Sequence, residues 1–210
     1  MREYEKKVAE YLLQIKAIKL QPSNPFTWAS GWLSPIYCDN RKTLSHPEVR
    51  TYIRDQFIEL IKEKYANCDV IAGVATGAIA QGALVAQVLN KPFVYIRSEA
   101  KKHGLTNLIE GEIHAGQKVV VIEGLVSTGG SSLKAVEALR EANCEVLGMI
   151  AIFTYGFPVA EENFAEKECK LHTLSNYNTM IETALNTGYI TDSDIETLKK
   201  WRVSPDTWGK

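Results

Sequence analysis

Apolar side chains recur at helical spacing at the start of the chain, at Tyr4, Val8, Tyr11, Leu12 and Ile15, which predicts an opening amphipathic helix. The periodicity then stops. From Gln21 to Pro35, four breakers (Pro22, Pro25, Gly31 and Pro35) punctuate a long loop that carries Phe26, Trp28 and Trp32. Ser45 and Pro47 signal a second helix, for which Val49, Ile53, Phe57, Leu60 and Ile61 supply a buried stripe.

A regular alternation follows. Short apolar runs predict strands over Asp69 to Val74, Phe93 to Arg97, Lys118 to Glu123 and Glu145 to Phe153, with helices over Gln81 to Leu89 and Ser132 to Glu141. Leu171 to Leu174 is a further strand, and helices are expected around Thr179 to Leu185 and Ser193 to Trp201. The unbroken run Val119-Val120-Val121-Ile122 fits a strand covered on both faces, as in a parallel sheet. Such strands are joined by right-handed crossovers and collect ligands at their carboxyl ends, so the loops after Val74, Arg97 and Glu123 are where chemistry is expected. No repeat, low-complexity tract or linker divides the chain, and one α/β domain is expected.

Composition narrows the function classes. At 210 residues the chain is long enough to bury about 70% of its unfolded surface, and 45% apolar with 23% charged residues is ordinary for a globular protein. Twenty-four basic residues nearly balance 25 acidic ones, giving a net charge of −1. No global field draws in nucleic acid or an anionic membrane, so any anion site is local. Met1 to Ile18 mixes charges at helical spacing without a continuous apolar core, so neither a signal peptide nor a membrane anchor is expected, and the expected location is the cytosol. Cys38, Cys68, Cys144 and Cys169 lie far apart without CxxC spacing and are read as reduced thiols.

The strongest chemical signal is Glu123-Gly124-Leu125-Val126-Ser127-Thr128-Gly129-Gly130-Ser131, where a buried strand ends in a carboxylate and a Thr-Gly-Gly-Ser stretch opens a helix. Backbone amides, hydroxyls and the positive end of the helix dipole converge there, a setting suited to a phosphomonoester. Glu123 is placed to accept hydrogen bonds from sugar hydroxyls or to help hold Mg²⁺. By itself a Thr-Gly-Gly-Ser turn is also an ordinary helix cap, and the stretch is neither a Walker loop nor a GxGxxG fingerprint. Two other loops matter. Arg97-Ser98-Glu99-Ala100-Lys101-Lys102-His103-Gly104 gathers three cations and a histidine, and Ala72-Gly73-Val74-Ala75-Thr76-Gly77-Ala78-Ile79-Ala80 turns from strand to helix on small residues. A cationic loop can neutralise charge on a departing anion, although alone such a run is more often a solvated surface loop.

These motifs together resemble the type I phosphoribosyltransferases, whose signature is an apolar strand, two acidic residues and a Thr-Gly-Gly-Ser-like loop. The resemblance implies a central, mostly parallel sheet flanked by helices, with a small N-terminal hood over about residues 1–45 and a core over about residues 46–210. It implies phosphoribosyl pyrophosphate held by Arg97, Lys101, His103 and the run Glu123, Gly124, Leu125, Val126, Ser127, Thr128, Gly129, Gly130 and Ser131, with the pyrophosphate loop in the turn after the strand, within Ala72 to Ala80. The hood run Ser30-Gly31-Trp32-Leu33-Ser34-Pro35-Ile36-Tyr37 and the Arg97 to Gly104 loop resemble the orotate phosphoribosyltransferases in particular. That likeness implies orotate contacts at Ser127 and Tyr37, with Arg97, Lys101 and His103 as the catalytic cations. It also implies Mg²⁺ carried without a protein ligand set of its own, and a homodimer that shares its sites. Gly124 stands where the family has its second carboxylate, and lowered activity is the expectation there. A transferase for a purine or uracil and a non-catalytic nucleotide sensor on the same fold are the rival readings.

Overall fold

In the computed structural model, which describes residues 2–28, 30–98 and 108–209, the apolar run around Val120 forms the centre of a six-stranded sheet. The chain opens with α1 (Glu3–Gln14), and four short strands follow: β1 (Ile18–Leu20), β2 (Phe26–Thr27), β3 (Leu33–Ser34) and β4 (Ile36–Cys38). A 3-10 turn over Asn40–Ser45 leads into α2 (Pro47–Lys64), β5 (Val70–Val74), α3 (Ile79–Leu89), β6 (Phe93–Ile96) and β7 (Ile109–Glu110). The remainder is β8 (Lys118–Val126), α4 (Gly130–Glu141), β9 (Glu145–Thr154), α5 (Pro158–Glu166), β10 (Leu171–Asn176), α6 (Tyr177–Asn186) and α7 (Asp192–Val203).

The large sheet has the order β10-β9-β8-β5-β6-β7, parallel throughout except where β7 meets β6. Side chains alternate faces along a strand, and β8 shows why its sequence is apolar without interruption. Val120 and Ile122 enter a core made with α1, α2 and α6, whereas Val119 and Val121 enter a second core under α4 and α5. All four are fully buried. Layers of helix on both faces are what the parallel reading requires. The expected stripe of α2 is buried at every position, and Pro47 occupies its first turn, where the missing N–H costs nothing.

Several expectations need correction. The stretch from Gln21 to Pro35 is not one irregular loop, because β2 and β3 pair as a hairpin within it and β1 pairs with β4 around it. Strands of two or three residues leave too little alternation to be read through prolines. Strand β8 continues three residues past Glu123 to Val126, and α4 begins at Gly130 rather than Ser132. The charged Glu123 reads as a strand end, but it is buried within the strand because it finds partners there. Strand β6 stops at Ile96, and α5 and β7 carry no clear periodic signal in the sequence. All four cysteines are free thiols, as expected.

Candidate active site

Two adjoining cavities open at the carboxyl edge of the sheet. One, of about 410 Å³, is lined by Thr27, Trp28, Tyr37, Cys38, Leu125, Ser127 and Tyr155. The other, of about 390 Å³, is lined by the Cys38 to Arg41 segment together with Thr76, Gly77, Glu123, Gly124 and Leu125. Cys38 and Leu125 belong to both and form a waist between them.

The first cavity is apolar and aromatic. Trp28 is fixed by donating its indole N–H to the Ile36 carbonyl at 3.1 Å, and its ring lies 5.2 Å from Tyr155 and 5.7 Å from Trp201. The hairpin β2–β3 carries Trp28 into the cavity lining, and β4 carries Tyr37, 40% exposed, into the same lining. A flat, partly polar ring fits such a slot. Burial, reinforced by nearby Asp39, pushes the Cys38 thiol far above its ordinary range, so it stays protonated.

The second cavity is polar. Asp39 grips Arg41 in a two-point pair at 2.7 and 3.0 Å, which holds the Asp39 carboxyl below its usual range. Asn40 donates its side-chain amide to the Gly124 carbonyl, tying the hood to β8. Glu123 is almost wholly buried: Oε1 accepts the Gly124 N–H at 2.7 Å and Oε2 accepts the Ser132 hydroxyl at 2.9 Å. Burial pushes its pKa up to about 7 against the pull of these donors. The two oxygens clasp the strand to the first turn of α4. A Cβ on Gly124 meets open space, so its lack of a side chain is not a packing requirement.

Beyond the waist the chain forms an anion cradle. Gly129 adopts a left-handed conformation, φ +86°, and a Cβ there would lie 2.9 Å from the Phe164 ring. Glycine alone therefore makes this turn. The amides of Gly130, Ser131 and Ser132 have no acceptor among the described residues, as at any open helix N-terminus, and the α4 dipole adds positive potential there. Asn163 of α5 donates to the Thr128 carbonyl at 2.9 Å and steadies the loop from below.

Of the residues singled out in the sequence, Tyr37 and Ser127 meet in the first cavity, Glu123 and Gly124 in the second, and Leu125 in both. Thr128, Gly130 and Ser131 form the cradle, while the Val126 side chain turns into the core and leaves only its backbone to the loop. Arg97 follows β6 and pairs with Glu110 at 3.5 Å, lining neither cavity. Lys101 and His103 lie outside the described residues. Asn163 acts through a partner distant in sequence, and no local pattern announces it, whereas Ser132 bonds Glu123 within the same strand-to-helix run. No group of three or more His, Cys, Asp or Glu side chains gathers among the described residues. The donor set at the second cavity, two carboxylates already bonded, suits a cation that arrives on a phosphorylated ligand.

The model of the phosphoribosyl transferase domain matches residues 42–186. The chain is 60% identical to orotate phosphoribosyltransferase from Porphyromonas gingivalis over 209 residues, covering the whole of both. It is 62% identical to orotate phosphoribosyltransferase from Bacteroides thetaiotaomicron over 208 residues, 99% of this chain and 98% of the relative. The fold superposes on the crystal structure of orotate phosphoribosyltransferase from Aeropyrum pernix with a TM-score of 0.76 and 28% identity, over 87% of this chain and 99% of that one. The chain belongs to the phosphoribosyltransferase family and, within it, to the orotate phosphoribosyltransferases.

Proposed function

We propose that this enzyme transfers the phosphoribosyl group from phosphoribosyl pyrophosphate to orotate, releasing pyrophosphate and forming orotidine 5-phosphate for pyrimidine synthesis. One observation carries the reading: an aromatic cavity for a planar base and a polar cavity leading to an anion cradle share the waist at Cys38 and Leu125. Two substrates seated in them would meet edge to edge, with most of the positional entropy of encounter already spent.

In this reading the amides and hydroxyls from Thr128 to Ser131 hold the 5-phosphate, and Thr76-Gly77 faces the pyrophosphate. Ser127 and Tyr37, both in the lining of the base cavity, contact orotate. As the bond from the anomeric carbon to the pyrophosphate oxygen breaks, the new bond forms to the ring nitrogen of the base, whose proton is given up to solvent. Positive charge grows on the sugar and negative charge on the leaving group. Arg97, Lys101 and His103 neutralise the latter, and no side chain acts as a nucleophile. Glu123 fixes the strand-to-helix junction beneath the ribose and keeps a carboxyl at hand for its hydroxyls. When bound, Mg²⁺ would supply further charge neutralisation, and Asp39 and Glu123, the carboxyl groups lining the second cavity, would be the groups available to it. We assign the working form to a cytoplasmic homodimer in which the loop around residues 98–107 completes a neighbouring site.

Pyrophosphate release with orotate, donor and Mg²⁺ tests the reading. Turnover with orotate, and none with adenine, hypoxanthine or uracil, is the expected outcome; release driven equally by another base would overturn it.

A further inference from the structure

A chain of buried hydrogen bonds links α3 to α4. Gln81 of α3 donates through Nε2 to the Thr43 hydroxyl at 3.4 Å, and that hydroxyl donates to the Asn40 carbonyl at 2.6 Å. Asn40 donates its side-chain amide to the Gly124 carbonyl while its Oδ1 accepts the Cys38 thiol at 3.3 Å, so both ends of that amide are committed. The Gly124 peptide is held on its other side too, because its N–H goes to Glu123 Oε1 and Glu123 Oε2 takes the Ser132 hydroxyl of α4. Gln81 and Ser132 are each the third residue of their helix, so the relay runs from one helix N-terminus to another. Asn40, Glu123 and Gly124 along it line the second cavity, whereas Thr43 and Gln81 line neither.

Stability does not account for this relay. Asn40, Thr43, Gln81, Glu123 and Ser132 are all buried, and the Gln81 Oε1 has no partner among the described residues. A buried amide bonded at one end only lowers stability relative to a hydrocarbon of its size, and a partly satisfied polar network is inferior to an apolar core. What the hydrogen bonds do accomplish is to fix a distance. The Thr76-Gly77 turn leads into α3, and the cradle opens α4, so the two ends of the relay stand behind the two turns assigned above to pyrophosphate and 5-phosphate.

We propose that Thr43 and Gln81 are positioning residues that act through Asn40 to set the separation of these two turns, so that the site selects a ligand with phosphate groups at both ends. This rests on the reading of phosphoribosyl pyrophosphate as the donor and deepens it. A ligand with one anionic group is held by one turn and does not sense the relay. A ligand that spans both turns gains from having their spacing fixed before it arrives.

Calorimetric titrations in the presence of Mg²⁺ test this, with phosphoribosyl pyrophosphate, ribose 5-phosphate and pyrophosphate as separate ligands and a thermal melt of every variant. Gln81→Leu is expected to weaken phosphoribosyl pyrophosphate about three- to tenfold, the weight of one hydrogen bond, while its melting temperature holds or rises. Thr43→Val is expected to weaken it about tenfold, and Thr43→Ser to restore the parent affinity. In all three variants ribose 5-phosphate, pyrophosphate and the KM for orotate should stay within about twofold of the parent. Unchanged donor affinity in Gln81→Leu and Thr43→Val, single-anion ligands weakened as much as the donor, or a melting temperature that falls in step with donor affinity would overturn the proposal. If Thr43→Val does not fold, Gln81→Leu and Thr43→Ser decide. A parent protein that does not bind phosphoribosyl pyrophosphate sinks the donor reading itself, whereas a parent that binds it and variants that match it sink the relay alone.

Discussion

The cradle and the base cavity are built in opposite ways. The cradle is contiguous: a strand, a glycine turn and a helix N-terminus within one short run, using backbone groups that any sequence possesses once the turn is made. The base cavity is assembled from the hairpin β2–β3, β4, the end of β8 and the end of β9, the last anchored by α7 from 47 residues away. On the proposed reading, recognition of the phosphate would rest on local chain geometry, and recognition of the base on tertiary packing. The first is hard to alter without breaking the fold, and the second can be retuned one side chain at a time.

Substitutions on the donor side should therefore spare the base, and the reverse. The largest separation is expected for Lys101→Ala: if, as proposed, Lys101 acts on charge that develops late, its loss should lower kcat roughly a hundredfold to a thousandfold. Steady-state kinetics in which orotate KM rises instead would assign Lys101 to the base.

Glu123 comes next, read through stability. An unfolded glutamate releases its proton near 4.5, but folded Glu123 holds it to about 7. Between these values the unfolded chain binds fewer protons, so this group lowers stability progressively as pH rises through that window. The loss totals about 3 kcal/mol above it. Denaturant titrations at about pH 5 and pH 7 should show a shallower pH dependence in Glu123→Gln, and an unchanged slope would place the titration elsewhere.

Gly129→Ala forces a left-handed backbone on a residue with a Cβ and presses it against Phe164, at a cost of about 1 to 3 kcal/mol. A lower melting temperature should accompany a raised donor KM. Gly124→Asp meets no steric obstacle and restores a carboxylate beside the second cavity, so the specificity constant for the donor should rise about tenfold. If it falls or stays level, Gly124 is an accommodated variation. The smallest effect is expected on the base side: Tyr37→Phe removes a hydroxyl on a half-exposed rim and should raise orotate KM about threefold without touching donor KM.

The same contrast explains what could be read from the sequence. Strand β8 announces itself because burial on both faces leaves no room for polar residues, and the Thr-Gly-Gly-Ser turn follows it directly. Glu123 misleads because its partner Ser132 lies across the turn, and only the fold shows that a carboxyl can be lodged there. The bond from Arg202 to the Tyr155 carbonyl carries no spacing signal at all, since it exists only once α7 has packed. The short strands of the hood are unreadable for a different reason: with two or three residues each, they take their pairing from Trp28 and its neighbours rather than from alternation.

The waist between the cavities has a consequence for ligand design. A single molecule that fills both lobes would pass by Cys38 and Leu125, which line both, and joining two weak fragments there converts the second binding event into an intramolecular one. The tether should be narrow and apolar at that point, because Leu125 offers only hydrocarbon and Cys38 a protonated thiol. An electrophile aimed at Cys38 would find a poor nucleophile, so reversible bridging compounds are better suited to this waist than covalent ones.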